Sequence, residues 1–169
     1  MNKLRQMART VGTLAIIWGI TSPSLAQTSA SQPQAAPRWV VNCSNVANPD
    51  ILACSLSMTL FQAETRQKVL SATVFQGPEG TEMAMNLPHG LDLPSGIVVA
   101  VDQGAGQTYA IQTSNADGAY SRFALTGSIL EALRKGNTMF VDLTASNKNA
   151  IRIELPLKGI SQGLDMALN

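Results

Sequence analysis

The chain has 169 residues, with 12 basic and 11 acidic side chains, one histidine and two cysteines. Phosphate neutralisation dominates nucleic-acid affinity, so a binder of DNA or RNA is expected to carry a basic stripe. The basic residues are scattered apart from Arg134-Lys135, which excludes nucleic acid as the expected partner.

The amino end has the three parts of a secretory signal peptide. Lys3, Arg5 and Arg9 make it basic, and Val11 to Ile20 form an apolar run. That run is short for a membrane span, which needs roughly 20 residues. Ser24-Leu25-Ala26 supplies small residues for a signal peptidase, so residues 1–26 are expected to be removed after Ala26. No cysteine follows the run closely, which argues against a lipoprotein anchor. No stable membrane span is expected after cleavage, and the location implied is the periplasm or the cell surface. Subtracting Lys3, Arg5 and Arg9 leaves 9 basic against 11 acidic residues, a net charge of −2.

Residues 27–37 (QTSASQPQAAP) contain no large apolar side chain. Such a segment cannot bury enough surface to offset its ordering entropy and is expected to be a flexible leader. Residues 38–169, roughly 130 in number, have the size of one domain.

That domain reads as strands. From Cys54 to Leu60 the residues Cys54, Leu56, Met58 and Leu60 alternate with Ser55, Ser57 and Thr59. A period of two is what a strand with one buried face requires. Ile151 to Leu155 repeats it, with Arg152 and Glu154 outward. Further strands are expected at Trp39–Cys43, Lys68–Gln76, Glu82–Asn86, Ile97–Asp102, Thr108–Thr113, Tyr120–Leu125 and Thr138–Thr144. The intervening segments, such as Gln76-Gly-Pro-Glu-Gly80 and Asn115-Ala-Asp-Gly118, have the Gly, Pro and Asp content of turns. Strands spaced roughly every ten residues by turns indicate a sandwich or barrel.

Two short helices interrupt the strands. Ser128-Ile-Leu-Glu131 has the form of a capping box, with Leu130 and Leu133 inward and Gly136 closing the helix. Ile160 to Leu168 is expected to form a second, with Leu164 and Leu168 against the sheet.

Cys43 and Cys54 are the only cysteines, and the expected export favours a disulfide between them. A redox-active pair favours close C-x-x-C spacing, so a structural bridge is the expected reading. Zinc is not expected, because two cysteines and one histidine fall short of four ligands. His89 is the sole histidine, with Asp92 and Ser95 near it in sequence. Triad members come from separate segments, so no catalytic residue is assigned to this stretch. Asp142 and Glu154 are expected to be solvated strand carboxylates, and Glu79 and Glu82 lack the Asp/Asn series of a calcium loop. No phosphate-cradling or dinucleotide glycine motif is present, so no cofactor is expected. Met58, Met83 and Met85 are expected to fill the core; an adaptable binding surface is the alternative, and exposure separates the two.

The ordered set of segments resembles the invasion-associated locus B family of bacterial envelope proteins. Its carriers are Trp39-Val-Val-Asn-Cys43, the alternating strand from Cys54, Leu87 to Gly96 running into Ile97-Val-Val-Ala-Val-Asp102, the helix at 128–135, and Leu155-Pro-Leu-Lys-Gly-Ile160. Ile160 stands where an aromatic residue is usual in that family. The resemblance implies an all-β, immunoglobulin-like antiparallel sandwich with one or two short helices, working in the periplasm or on the cell surface. Family members commonly carry a second cysteine pair around a tight turn; here Ser114 and Ala119 stand in its place. The expected function is non-enzymatic binding of an envelope or host-surface protein or glycan. The alternatives are a small periplasmic enzyme or accessory subunit using His89 or a carboxylate pair, and a periplasmic assembly factor that adds a partner strand.

Overall fold

The computed structural model describes residues 36–45 and 52–168. The signal peptide expected over 1–26, most of the leader and the middle of the loop between the cysteines lie outside the described residues.

Among the described residues, ten strands and two α-helices follow one another, with a short 3-10 turn at Leu93–Ser95 ahead of the fifth strand. They are β1 (Val40–Ser44), β2 (Ala53–Phe61), β3 (Lys68–Gly77), β4 (Gly80–Leu87), β5 (Ile97–Val101), β6 (Gln107–Tyr109), β7 (Thr113–Asn115) and β8 (Gly118–Ala124). Then come α1 (Gly127–Lys135), β9 (Thr138–Thr144), β10 (Ala150–Pro156) and α2 (Ile160–Leu168). All pairings are antiparallel, and the strands form two sheets of a sandwich. The first sheet has the order β1-β2-β3-β4-β8-β7, the second β10-β9-β5-β6. β4 and β8 are neighbours in one sheet, and the next strands in sequence, β5 and β9, are neighbours in the other. The two sheets are thereby interlocked by the chain itself.

The period of two governs burial. Leu56 and Met58 on β2, Leu70, Ala72 and Val74 on β3, and Met83 and Met85 on β4 are buried. Met139, Val141 and Leu143 on β9 and Ile153 and Leu155 on β10 are buried from the second sheet. The burial of Met58, Met83 and Met85 makes them core side chains and removes them as a binding surface. α2 packs on β1, β2 and β3, with Ile160, Gly163, Leu164 and Ala167 buried. A Cβ on Gly163 would run into the Leu56 side chain, with Leu56 Cδ2 at 3.0 Å, so the glycine lets helix and sheet approach closely.

The structure corrects two expectations. The single strand expected over Thr108–Thr113 is two strands in different sheets: β6 pairs with β5, and β7 pairs with β8. The apolar pattern could not reveal the break, because the crossing backbone stays hydrogen-bonded. Ser121 Oγ donates to the Ala110 carbonyl at 2.8 Å, and Gln112 N–H donates to the Tyr120 carbonyl at 2.8 Å. Tyr109 stacks on Phe123 with ring centroids 3.8 Å apart, sealing the crossing on the core side.

The capping box is also absent. α1 starts at Gly127 with Thr126 as N-cap, and no side-chain cap bond forms. Leu125 is still tied to the strands through its N–H to the Thr81 carbonyl, and the first helical bond runs from Leu130 N–H to Thr126. Ser128 therefore sits inside the first turn, and Glu131 pairs with Lys135 one turn on, at 3.1 Å. Ile129 and Leu133 are the buried pair, four apart on one face, while Leu130 is half-buried. Gly136 closes α1 with an extended backbone, not a left-handed one. A Cβ there would strike Val101 and approach the Ala132 carbonyl at 2.8 Å, which accounts for the glycine.

Candidate functional site

Cys43 and Cys54 are directly opposite partners in the β1–β2 ladder and are bonded to each other. β1 is the edge strand of its sheet, mostly exposed, and is held from its start by Trp39 Nε1 donating to the Pro156 carbonyl at 2.9 Å. Ser114 and Ala119 are likewise directly opposite partners, in the β7–β8 ladder. The hairpin between them closes without a bridge. Asn115 Oδ1 accepts from the Asp117 N–H at 2.8 Å, and Gly118 holds a positive φ of +139°. A Cβ on Gly118 would collide with the Leu87 carbonyl, so Gly118→Ala is expected to cost about 1–3 kcal/mol through backbone strain alone, read by thermal unfolding. Because Ser114 and Ala119 already face each other, Ser114→Cys with Ala119→Cys should form a disulfide on oxidation. Mass spectrometry of the oxidised protein checks this; two free thiols would contradict the register.

His89, Asp92 and Ser95 do not form a triad. His89 is exposed, and its Nε2 lies 3.0 Å from the Ala116 carbonyl. Asp92 accepts from Lys148 Nζ and from Ser95 Oγ, both at 2.6 Å, and these bonds hold its carboxyl below the usual range. No hydrogen bond links His89 to either residue. Asp142 is bound by Arg152 through two bonds of 2.6 and 2.8 Å, which lower its pKa, while Arg152 lies over the Phe140 ring. Glu154 is an exposed residue opposite Phe140. Among the described residues no group of three or more His, Cys, Asp or Glu is placed to hold a metal ion.

The outer face of the first sheet carries a more organised set of side chains. Glu82 on β4 and Arg122 on β8 both point outward and form an ion pair. Glu82 is only 8 % exposed, set over Gly77, where a Cβ would collide with its carboxylate. The Arg122 guanidinium lies 5.0 Å from the Phe75 ring centroid, a cation–π distance. Its bond to Glu82 holds the Glu82 carboxyl below the usual carboxylate range, against the opposing effect of burial. Gln112 completes the set. Its Nε2 donates to the Arg122 carbonyl and its Oε1 accepts from the Arg122 N–H, both at 2.8 Å. Glu82, Arg122 and Gln112, with Glu79 and Tyr120, line a groove of about 710 Å³ along β8.

Glu82, Asp92 and Asp142 all have lowered pKa values in the fold. A depressed folded pKa gives stability that is present above the unfolded value and lost as pH falls through the folded one. Unfolding temperature should therefore be flat near neutrality and fall below about pH 4. Asp142→Asn should flatten part of that slope in melts run from pH 7 to pH 3.

Glu82 was legible only as a turn-flanking carboxylate, and neither Gln112 nor Arg122 was marked by its sequence context. The outward parity of Glu82 and Arg122 could be read from their strands; the pairing of β4 with β8 could not.

The chain is similar to known proteins. The chain is 28 % identical over 129 residues to an invasion protein B homolog of Brucella abortus (strain 2308), covering 75 % of this chain and 73 % of that protein. An invasion protein B homolog from Brucella abortus biovar 1 (strain 9-941) matches to the same extent. The crystal structure of invasion associated protein B from Bartonella henselae superposes with a TM-score of 0.69 at 18 % identity, covering 79 % of this chain and 95 % of that one. That likeness shows the shared fold. No helix among the described residues is long and apolar enough to cross a membrane. Residues 39–167 match the family described as Invasion associated locus B (IalB) protein, and the chain belongs to that family.

Proposed function

We propose that this is an exported, non-enzymatic binding module that acts on an envelope or host-surface component. The observation that carries the reading is the groove along β8, where Glu82 and Arg122 are fixed by one another and by the Phe75 ring. A rigid sheet face presenting polar side chains in set positions is suited to recognition, since little ordering entropy is lost on binding. The relatives are named as invasion protein homologs, which agrees with a role at a surface. His89, Ser95 and Asp92 are engaged in contacts that tie loops together, which favours binding over catalysis.

Export is part of the proposal and rests on the basic, apolar and small-residue segments of 1–26. The test is crosslinking in intact cells, comparing the wild type with Arg122→Glu, with the mature protein located by fractionation. The variant should lose its crosslinked partner while His89→Ala keeps it. Retention of the partner by Arg122→Glu would remove the groove from the proposal. A hydrolytic activity abolished by His89→Ala at unchanged fold would overturn the non-enzymatic reading.

A further inference from the structure

β8 is paired unequally along its length. β7 pairs with it only at Gly118, Ala119 and Tyr120, and the chain then leaves for the other sheet. Beyond Tyr120 no strand of the described residues lies on that side of β8. A strand's peptide groups alternate in direction. Arg122 shows which way they point there, since its N–H and carbonyl are turned from β4 and bonded to Gln112. By the same alternation the N–H and carbonyl of Ala124 face the open side; Leu125 N–H, one residue on, bonds back to the Thr81 carbonyl.

The Gln112 side chain makes the two bonds that a neighbouring strand's peptide groups would make: one donated to the Arg122 carbonyl, one accepted from its N–H. A primary amide has the same donor and acceptor chemistry as a peptide group. Edges left open in this way are templates for strand addition. At the groove's rim Glu79 is exposed and has no ion-pair partner among the described residues. The edge thus offers main-chain hydrogen bonds beside an uncompensated carboxylate.

We infer that the Arg122–Ala124 edge of β8 accepts an extended peptide bearing a basic side chain, with the Gln112 amide as its internal placeholder. The inference rests on the binding-module reading and names the partner's chemistry. An incoming strand displaces Gln112, bonds to Arg122 and Ala124, and sets a lysine or arginine against Glu79. Removing the placeholder removes a competitor, so Gln112→Ala should bind more tightly than the wild type.

The test titrates the full mature chain with an acetylated octapeptide of alternating threonine and valine with one central lysine. A counterpart methylated at alternate backbone nitrogens serves as the control. Expected results are binding to the wild type, about tenfold tighter binding to Gln112→Ala, and none of the methylated peptide. Glu79→Gln should weaken binding several-fold and reduce its salt dependence. Amide hydrogen exchange on the wild type should slow at Ala124 when peptide is added. That measurement decides the matter without a variant. Equal binding of the methylated peptide, protection elsewhere than β8, or no binding to either protein would overturn the inference. If glycans bind the groove and Arg122→Glu abolishes that binding while peptides do not bind, strand addition fails and the binding-module reading stands.

Discussion

Replacing Leu56 with alanine should lower the unfolding free energy by about 2–5 kcal/mol, the range for deleting a buried leucine side chain. Leu56 is fully buried on β2 and lies where α2 meets the sheet. Its side chain fills the space over Gly163, so truncation leaves a cavity bounded by helix backbone. Gly163→Ala tests the same contact from the other side. Alanine favours a helix interior by about 0.8–1.0 kcal/mol over glycine, but the new methyl meets Leu56. Overpacking costs about 1–3 kcal/mol, so the single change should destabilise or come out near neutral. In the Leu56→Ala background the collision is gone, and the methyl should restore stability. The double-mutant cycle should therefore show coupling of about 0.5–3 kcal/mol, measured by denaturant unfolding. Additive effects would mean that α2 does not sit on Leu56 as described.

Removing the Cys43–Cys54 bond has the second large effect. Cross-linking a short loop is worth about 2–4 kcal/mol. For a domain of this size that corresponds to a fall in unfolding temperature of roughly 10 °C. β1 is the reason the loss is felt locally. It pairs with β2 alone in its sheet, and only Val41 among its residues is better than exposed. Without the bond it is held by that ladder, by the Trp39 contact with Pro156 and by α2. Cys43→Ser with Cys54→Ser should lower the melting temperature and raise hydrogen exchange first in β1. Loss of a binding or chemical activity with the melt unchanged would show that the bond has a role beyond support.

Strand positions were legible because they depend on neighbours in sequence. Cys54–Leu60 alternates so regularly that β2 follows from its residues, and Thr138–Thr144 coincides with β9. Where the outcome depended on distant partners, sequence reasoning failed. Thr108–Thr113 reads as one strand through Thr108, Tyr109, Ile111 and Thr113, yet Tyr109 pairs with Ile97 and Thr113 with Tyr120. The start of α1 was displaced for a similar reason: Leu125, bonded to Thr81, fixes where the strand must end. The groove was the least legible feature. It needs Glu82 and Arg122 on adjacent strands and the Gln112 amide turned onto a backbone it does not neighbour in sequence.

The interlock of the two sheets bears on how the chain reaches this state. β1 to β4 form a meander of near neighbours, closed at one end by Gly77 opposite Gly80. Such hairpins lose little entropy on closing and can form early. The pairings that complete the two sheets cannot. β5 must pair with β9, bringing Val98 to Asp142, and β4 must pair with β8, bringing Ala84 to Arg122. Those contacts span long stretches of chain, and topologies rich in them fold in milliseconds to seconds. The meander should therefore have its hairpins in place while β4 still lacks its partner β8. During that interval β4 is the open edge of a four-stranded sheet, and its pairing with β8 is the step that commits the chain to a sandwich.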